Sequence, residues 1–426
     1  MKRIARYIYS SAFALAVLCS CDATDTPTVS LGIEDFYRMQ RMQSYRFMPG
    51  YTGYEYRWYM TLPDGRDSLM STDRFFTFIQ KDEGIYDLTF EIVDSQTPYK
   101  HNFQVEVVHE DVEYSAYISK VFEYKPAPGQ FINEMPKYEA GDTEESMRKK
   151  VEENISGKNK VMVSLGGYGG YITFGFDHTV MNVSGEMDFA IYGNAFYELI
   201  DPEKRGGSCE PGIVMVAFDK NKNGKADEDE WFELAGSEYY KPETVRDYEV
   251  TFTRPDPNKI PIPDETGNIT DTKYIHWKDN KGTEGYMPKI QFHSQDYYPK
   301  WIKEDKLTFN GSRLRNNGVD ISGMGSYWVL YSFDWGYADD HPNDSISLIS
   351  FDIDWAVDKN GEKIKLPGVD FIRVYTSQNQ YCGWLGETST EITMAKDWHI
   401  YDPQDTIPDP LPNNILNKRI ATNRNY

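Results

Sequence analysis

Short runs of alternating apolar and polar residues dominate the chain, and helical spacing is rare. Tyr86-Asp87-Leu88-Thr89-Phe90-Glu91-Ile92-Val93-Asp94 and Phe103-Gln104-Val105-Glu106-Val107 alternate with period two. That period predicts half-buried antiparallel strands. Tyr54 to Met60 and Phe75 to Phe78 are also strand-like, and Pro63-Asp64-Gly65 supplies a turn. Residues 29–113 therefore predict a small β-sandwich of roughly 85 residues.

Residues 114–160 change character. Pro126, Pro128 and Pro136 interrupt regular structure, and Ser146 to Ile155 has the polar, helically spaced pattern of one short helix. This segment is expected to be a connector. Residues 161–401 return to strands: Val161 to Leu165, Tyr171 to Phe176, Met187 to Tyr192, Ile213 to Phe218, Tyr327 to Phe333, Ile349 to Val357 and Val369 to Tyr375. Strands do not alternate with helices, which disfavours a doubly wound or barrel α/β fold. The strand count suits a jelly-roll β-sandwich. From Asp402 to Tyr426 the sequence reads as a tail, and no internal repeat stands out. The expected fold class is all-β, a small sandwich followed by a larger jelly-roll.

The first twenty residues read as an address. Lys2, Arg3 and Arg6 precede a short apolar run from Ser11 to Leu18, too short to span a bilayer. Leu18-Cys19-Ser20-Cys21 resembles a bacterial lipobox, which implies cleavage before Cys21 and acylation of its thiol. Residues 21–28 would then be a tether, and contact with the membrane would run through lipid alone. Of the four Cys, Cys209 and Cys382 are left for the folded protein. In an exported protein they could pair, and two free buried thiols fit the sequence equally well.

Acidic residues number 67 against 45 basic ones, for a net charge of −22. A balance this negative is a poor match for nucleic acid or an anionic lipid surface. Aromatics make up 15% of the chain, which suits strands and ligand-contacting loops.

The sharpest local motif is Asp219-Lys220-Asn221-Lys222-Asn223-Gly224-Lys225-Ala226-Asp227-Glu228-Asp229-Glu230. Oxygen-bearing side chains at Asp219, Asn221, Asn223, Asp227 and Glu230, with the Lys225 carbonyl, follow the order of an EF-hand calcium loop. Gly224 permits the tight bend and Glu230 can close the site with two oxygens. The flanking Ile213 to Phe218 is strand-like, so a helix-free calcium loop with a structural ion is expected. An acidic hairpin turn without an ion is the plainer alternative.

Catalytic motifs are missing: HExxH, Gly-x-Ser-x-Gly, the P-loop and Gly-x-Gly-x-x-Gly do not occur. Gly166-Gly167-Tyr168-Gly169-Gly170 suits a tight crossing, and Asp177-His178 a hydrogen-bonded structural pair. Non-enzymatic function is the expectation, although dispersed carboxylate pairs for glycoside hydrolysis are consistent with so many acids. Three aromatic clusters fall in turn-rich segments and carry the candidate ligand-binding rings: Tyr298 and Trp301, Trp335 and Tyr337, and Trp384. Such rings either stack on flat ligands or plug the ends of a sandwich.

Trp58, Asp64-Gly65 and Gly84-x-Tyr86-x-Leu88 resemble the PKD-like, immunoglobulin-type modules of bacterial surface proteins, which usually act as spacers. The larger unit carries Val163-Ser164-Leu165-Gly166-Gly167, Asp188-Phe189-Ala190-Ile191-Tyr192-Gly193-Asn194, Glu210-Pro211-Gly212, Trp335-Gly336-Tyr337-Ala338-Asp339 and Gly383-Trp384-Leu385-Gly386-Glu387-Thr388-Ser389-Thr390-Glu391. Together these resemble cell-surface lipoproteins of gut Bacteroidetes that pair a PKD-like module with a jelly-roll domain, some of them similar to vitamin B12-binding lipoproteins of corrinoid transport loci. The resemblance implies an outer-membrane, surface-exposed lipoprotein that captures a corrinoid and supports its uptake by a transporter. Two alternatives stand beside it: a glycan-binding or glycan-hydrolysing protein, and a calcium-stabilised structural or adhesive one.

Overall fold

The computed structural model describes residues 31–94, 98–198, 205–400 and 408–411. Cys21, the signal segment and the tether lie outside the described residues. The protein is all-β, built from several packed sheets, with one α-helix among the described residues. No described helix is long and apolar enough to cross a membrane.

The first sheet places Phe36–Gln40, Pro98–Val108, Gly84–Val93, Glu55–Thr61 and Asp67–Ser71 side by side. All neighbours are antiparallel except the first pair, which is parallel. The period-two expectation is met in Pro98–Val108, where Phe103, Val105 and Val107 are buried between more exposed neighbours. A second ribbon, Tyr45–Phe47 paired with Phe76–Phe78, supplies the opposing layer. Trp58 sits at the centre of this core, stacked on Phe90 at 4.2 Å, and its indole N–H donates to the Asp73 carbonyl.

The main sheet of the larger unit runs Ala356–Val357, Trp231–Leu234, Gly212–Ala217, Phe371–Thr376, Tyr171–Gly175 and Lys120–Lys125. Its last strand comes from the segment expected to be a connector. Val121 and Tyr124 are buried on one face of that strand, and the prolines begin only after it. The short helix is Glu144–Ile155, two residues longer than expected, and is capped by Thr143 and Ser146. Met147, Val151 and Ile155 repeat every four residues and press into the same core.

A four-stranded sheet, Glu284–Ile290, Ile269–Asp279, Val245–Thr253 and Lys306–Arg313, lies in a stretch where no strands were expected. It covers a second apolar cluster rich in Tyr168, Tyr248, Phe252, Tyr297 and Tyr375. The glycine run 166–170 is the expected tight crossing. A Cβ on Gly170 would stand 2.0 Å from the Leu165 carbonyl oxygen and 2.3 Å from the Ala127 nitrogen. Part of the expected tail is structural, because Leu411 is buried in the main core.

The two units touch. Met42 and Ile79 pack against Met181, with Tyr114, Val183 and Ile400 around them. Lys81 pairs with Glu186 at 2.7 Å. Arg46 donates to the Lys220 carbonyl at 2.7 Å, and Lys222 to the Ser44 hydroxyl at 2.6 Å.

Candidate functional site

Strand Gly212–Ala217 delivers the chain into the acidic loop at Asp219, and the loop ends in a 3-10 turn, Glu228–Glu230, that leads into strand Trp231–Leu234. The loop is thus a strand-to-strand connection without helical flanks. Asp219 accepts from the backbone amides of Asn223 at 3.0 Å and Gly224 at 2.7 Å. Asp227 accepts from the side-chain amides of Asn221 and Asn223. Glu230 is buried and accepts from the amides of Lys220 at 2.9 Å and Asp227 at 3.1 Å. Gly224 has φ +75, a conformation glycine adopts without strain. The side chains of Asp219, Asn221, Asn223, Asp227 and Glu230 are tied together by these bonds, with the Lys225 backbone on the same turn. The donors are all oxygen, the type a hard cation takes, and here they accept hydrogen bonds from within the loop. Beside the loop lies a cleft of about 330 Å3, bordered by Phe122, Phe176, His178, Lys222 and Asp370.

The five candidate ligand-binding rings do not share one environment. Trp335 is buried and lies 4.7 Å from Trp355. Tyr337 is buried under Gly236, and its hydroxyl accepts from the Glu238 amide. Tyr298 is buried, donates to the Glu304 carbonyl and lies beneath the Arg254 guanidinium. Trp301 is buried between Tyr124 and Tyr138. These four rings pack inside the larger unit. Gly336 and Gly386 serve the same packing: added Cβ atoms would meet the Gly236 backbone at 2.6 Å and the Gln130 side chain at 2.2 Å.

Trp384 differs. It stands on the 3-10 turn Gly383–Leu385, half-buried, and its indole N–H donates to the Ser326 carbonyl at 3.2 Å. Phe292, 60% exposed, meets it edge-on at 5.9 Å. Ser326 belongs to the tip of the hairpin formed by Gly318–Asp320 and Trp328–Tyr331, which also presents Met324 at 83% exposure.

Two polar constellations escaped the sequence reading. In the first, Asp177-His178 extends into a buried chain. His178 bridges Asp177 at 2.7 Å and Asp397 at 2.6 Å; Asp397 pairs with His399 at 2.9 Å, and His399 with Asp188 at 3.3 Å. Burial pulls the His399 pKa down, but the carboxylates of Asp397 and Asp188 outweigh it and hold it up at about 10. Burial works against ionised Asp397 too, yet the two imidazoles hold its carboxyl well below the usual carboxylate range.

The second joins Glu210, Asp339 and Glu391, with one carboxylate oxygen of each within 4.8 Å of the others. Five segments meet there, around Ser164, Asn194, Glu210, Asp339 and Glu391. Asp339, at φ +53, accepts from the amides of Asn194, Ala195 and Glu391. Glu210 accepts from the Ser389 amide at 3.0 Å, and Glu391 from the Ser389 hydroxyl. Burial, followed by mutual repulsion, raises Glu210 and Asp339 well above the carboxylate range; burial alone lifts Glu391 to about 7 against the hydroxyls and amide beside it. Two full charges 4.8 Å apart repel by about 3.5 kcal/mol at an effective dielectric of 20, so three ionised acids here require a positive partner. Cys209 and Cys382 are both free and buried.

No family model matches the chain, and no curated protein matches it.

Proposed function

We propose that this protein is a lipid-anchored, outer-membrane surface receptor that captures a flat, partly apolar nutrient, with a corrinoid such as vitamin B12 as its first candidate, and passes it to a transporter. In this reading the N-terminal sandwich is a PKD-like spacer, the larger unit is the jelly-roll receptor, and calcium stiffens the loop 219–230. The observation that carries the proposal is the half-buried Trp384 paired with the exposed Phe292 beside the Met324 hairpin tip. The turn Gly383–Leu385 and the bond to Ser326 fix the indole, so a ligand would meet a ring that is already ordered. The lipobox-like Cys21 and the resemblance of the larger unit to corrinoid-locus lipoproteins support the same reading.

Incubation with cyanocobalamin followed by desalting tests it. Wild type should retain corrinoid absorbance, and Trp384→Ala should weaken binding at least tenfold, as expected when a ring worth about 1.5–3 kcal/mol is removed. Trp335→Ala, which removes a core ring, should lower stability while the folded fraction binds normally. Failure of wild type to retain any corrinoid, together with retention of an oligosaccharide from a glycan panel, would replace this reading with glycan binding.

A further inference from the structure

The loop at 219–230 leaves the buried acids elsewhere in the larger unit without a role. Glu210, Asp339 and Glu391 come from three distant parts of the chain, and their oxygens gather within 4.8 Å of one another. That separation matters. Three oxygens within 4.8 Å of one another leave a point no more than about 2.8 Å from each, so a small inward shift brings all three to the roughly 2.3–2.6 Å at which calcium binds oxygen. Among the described residues, none of the three forms an ion pair with a lysine or arginine, and the donors that reach them are backbone amides, side-chain hydroxyls and the Asn194 side-chain amide, all uncharged. The three amides on Asp339 favour its ionised form.

A fourth acid completes the picture. Glu387 is 3% exposed; its Oε1 accepts from the Gln130 amide at 2.5 Å, and its Oε2 has no hydrogen-bond partner among the described residues. Its charge acts on Glu210 and that of Glu391 acts on it, so this carboxyl lies near the three acids. A buried carboxylate oxygen left without a donor is costly unless a proton or a cation satisfies it. The carboxylates are also held in place from outside. Ser389 binds Glu210 through its amide and Glu391 through its hydroxyl, and Ser164 contacts the Ser389 hydroxyl at 3.1 Å. Ligand orientation by such outer contacts is typical of built metal sites. Glu210 is the least buried of the three residues.

We propose that Glu210, Asp339 and Glu391 bind a divalent hard cation, calcium by its oxygen-only donors, at a site separate from the loop 219–230. The ion would pin together the segments around Asn194, Glu210, Asp339 and Glu391, which otherwise meet only through short strands and turns.

Metal content of the full chain decides the matter. After equilibrium dialysis against calcium and removal of free ion, Glu230→Ala isolates the buried site from the loop. The double variant Glu230→Ala, Glu391→Gln should hold one equivalent fewer than Glu230→Ala alone. Equal metal content in the two folded proteins overturns the proposal and leaves protons as the satisfying charge. Should the double variant fail to fold, wild-type crystals soaked in manganese give the same answer. An anomalous peak among the three carboxylates supports the site, and its absence at saturating manganese overturns it.

Discussion

Glu230 is the residue whose removal should report most directly on the acidic loop. It is buried, and its two carboxylate oxygens hold the amides of Lys220 and Asp227, the second and ninth residues of the loop. Glu230→Gln keeps the shape and one acceptor oxygen but removes the charge and the two-oxygen grip on an ion. Two effects then separate. Without calcium, the variant should lose one charge-assisted hydrogen bond, on the order of 1–3 kcal/mol. With calcium at a hundred times its dissociation constant, wild type gains about 2.7 kcal/mol by mass action, and the variant forfeits most of that gain. For a cooperative unit of this size, 2.7 kcal/mol corresponds to a shift in melting temperature of roughly 5–10 °C. Differential scanning calorimetry in calcium and in chelator, on both proteins, measures the two effects independently. If Glu230→Gln shows the same calcium-induced rise as wild type, the assignment of Glu230 as an ion ligand is refuted, whatever the chelator melt shows.

Other outcomes follow from the same structure. Cys21→Ala should move the protein from the membrane fraction to the soluble one, and unchanged fractionation would count against lipid anchoring. The His399 imidazole, held up at about 10 by Asp397 and Asp188, contributes stability that is complete below its unfolded value of about 6.5 and is lost as pH rises through about 10. Denaturant unfolding of wild type minus His399→Gln should therefore fall across that window by at most about 1.4 kcal/mol per pH unit, and a difference that stays flat would mean that His399 is neutral in the fold.

The acidic loop was legible because all of its chemistry lies within twelve consecutive residues, where spacing alone specifies a turn. The strands of the first sandwich were legible for a related reason: alternation is a local signal. Trp335 and Tyr337 were not. In a turn-rich segment no period tells which way a ring points, and glycine beside it allows close approach to a ligand or to another backbone equally well. At Gly336 the close approach is to Gly236. The strands Val245–Thr253 and Lys306–Arg313 were obscured because they pair across the whole intervening hairpin Ile269–Asp279 and Glu284–Ile290, so no local turn marks the pairing. The carboxylate cluster was the least legible feature. Glu210, Asp339 and Glu391 are brought together only by topology, and in a chain with 67 acids none looks unusual. The available signal was their company: Glu210-Pro211-Gly212, Ala338-Asp339 and Ser389-Thr390-Glu391 set each acid against small residues or proline, an odd neighbourhood for a solvated carboxylate.

The seat of the first sandwich on the acidic loop has a mechanical consequence. Arg46 and Lys222 cross the boundary to opposite partners, Lys220 and Ser44, while Met42 and Ile79 wedge against Met181. On the lipid-anchored reading, a pull arriving from the N-terminus would enter the larger unit through two contacts, the acidic loop and the methionine wedge. Contacts made at both places would resist such a load together, as a bracket does, rather than as beads on a string. Shear from the surrounding medium would then be met at residues 220–222, beside the oxygens that an ion would draw tight.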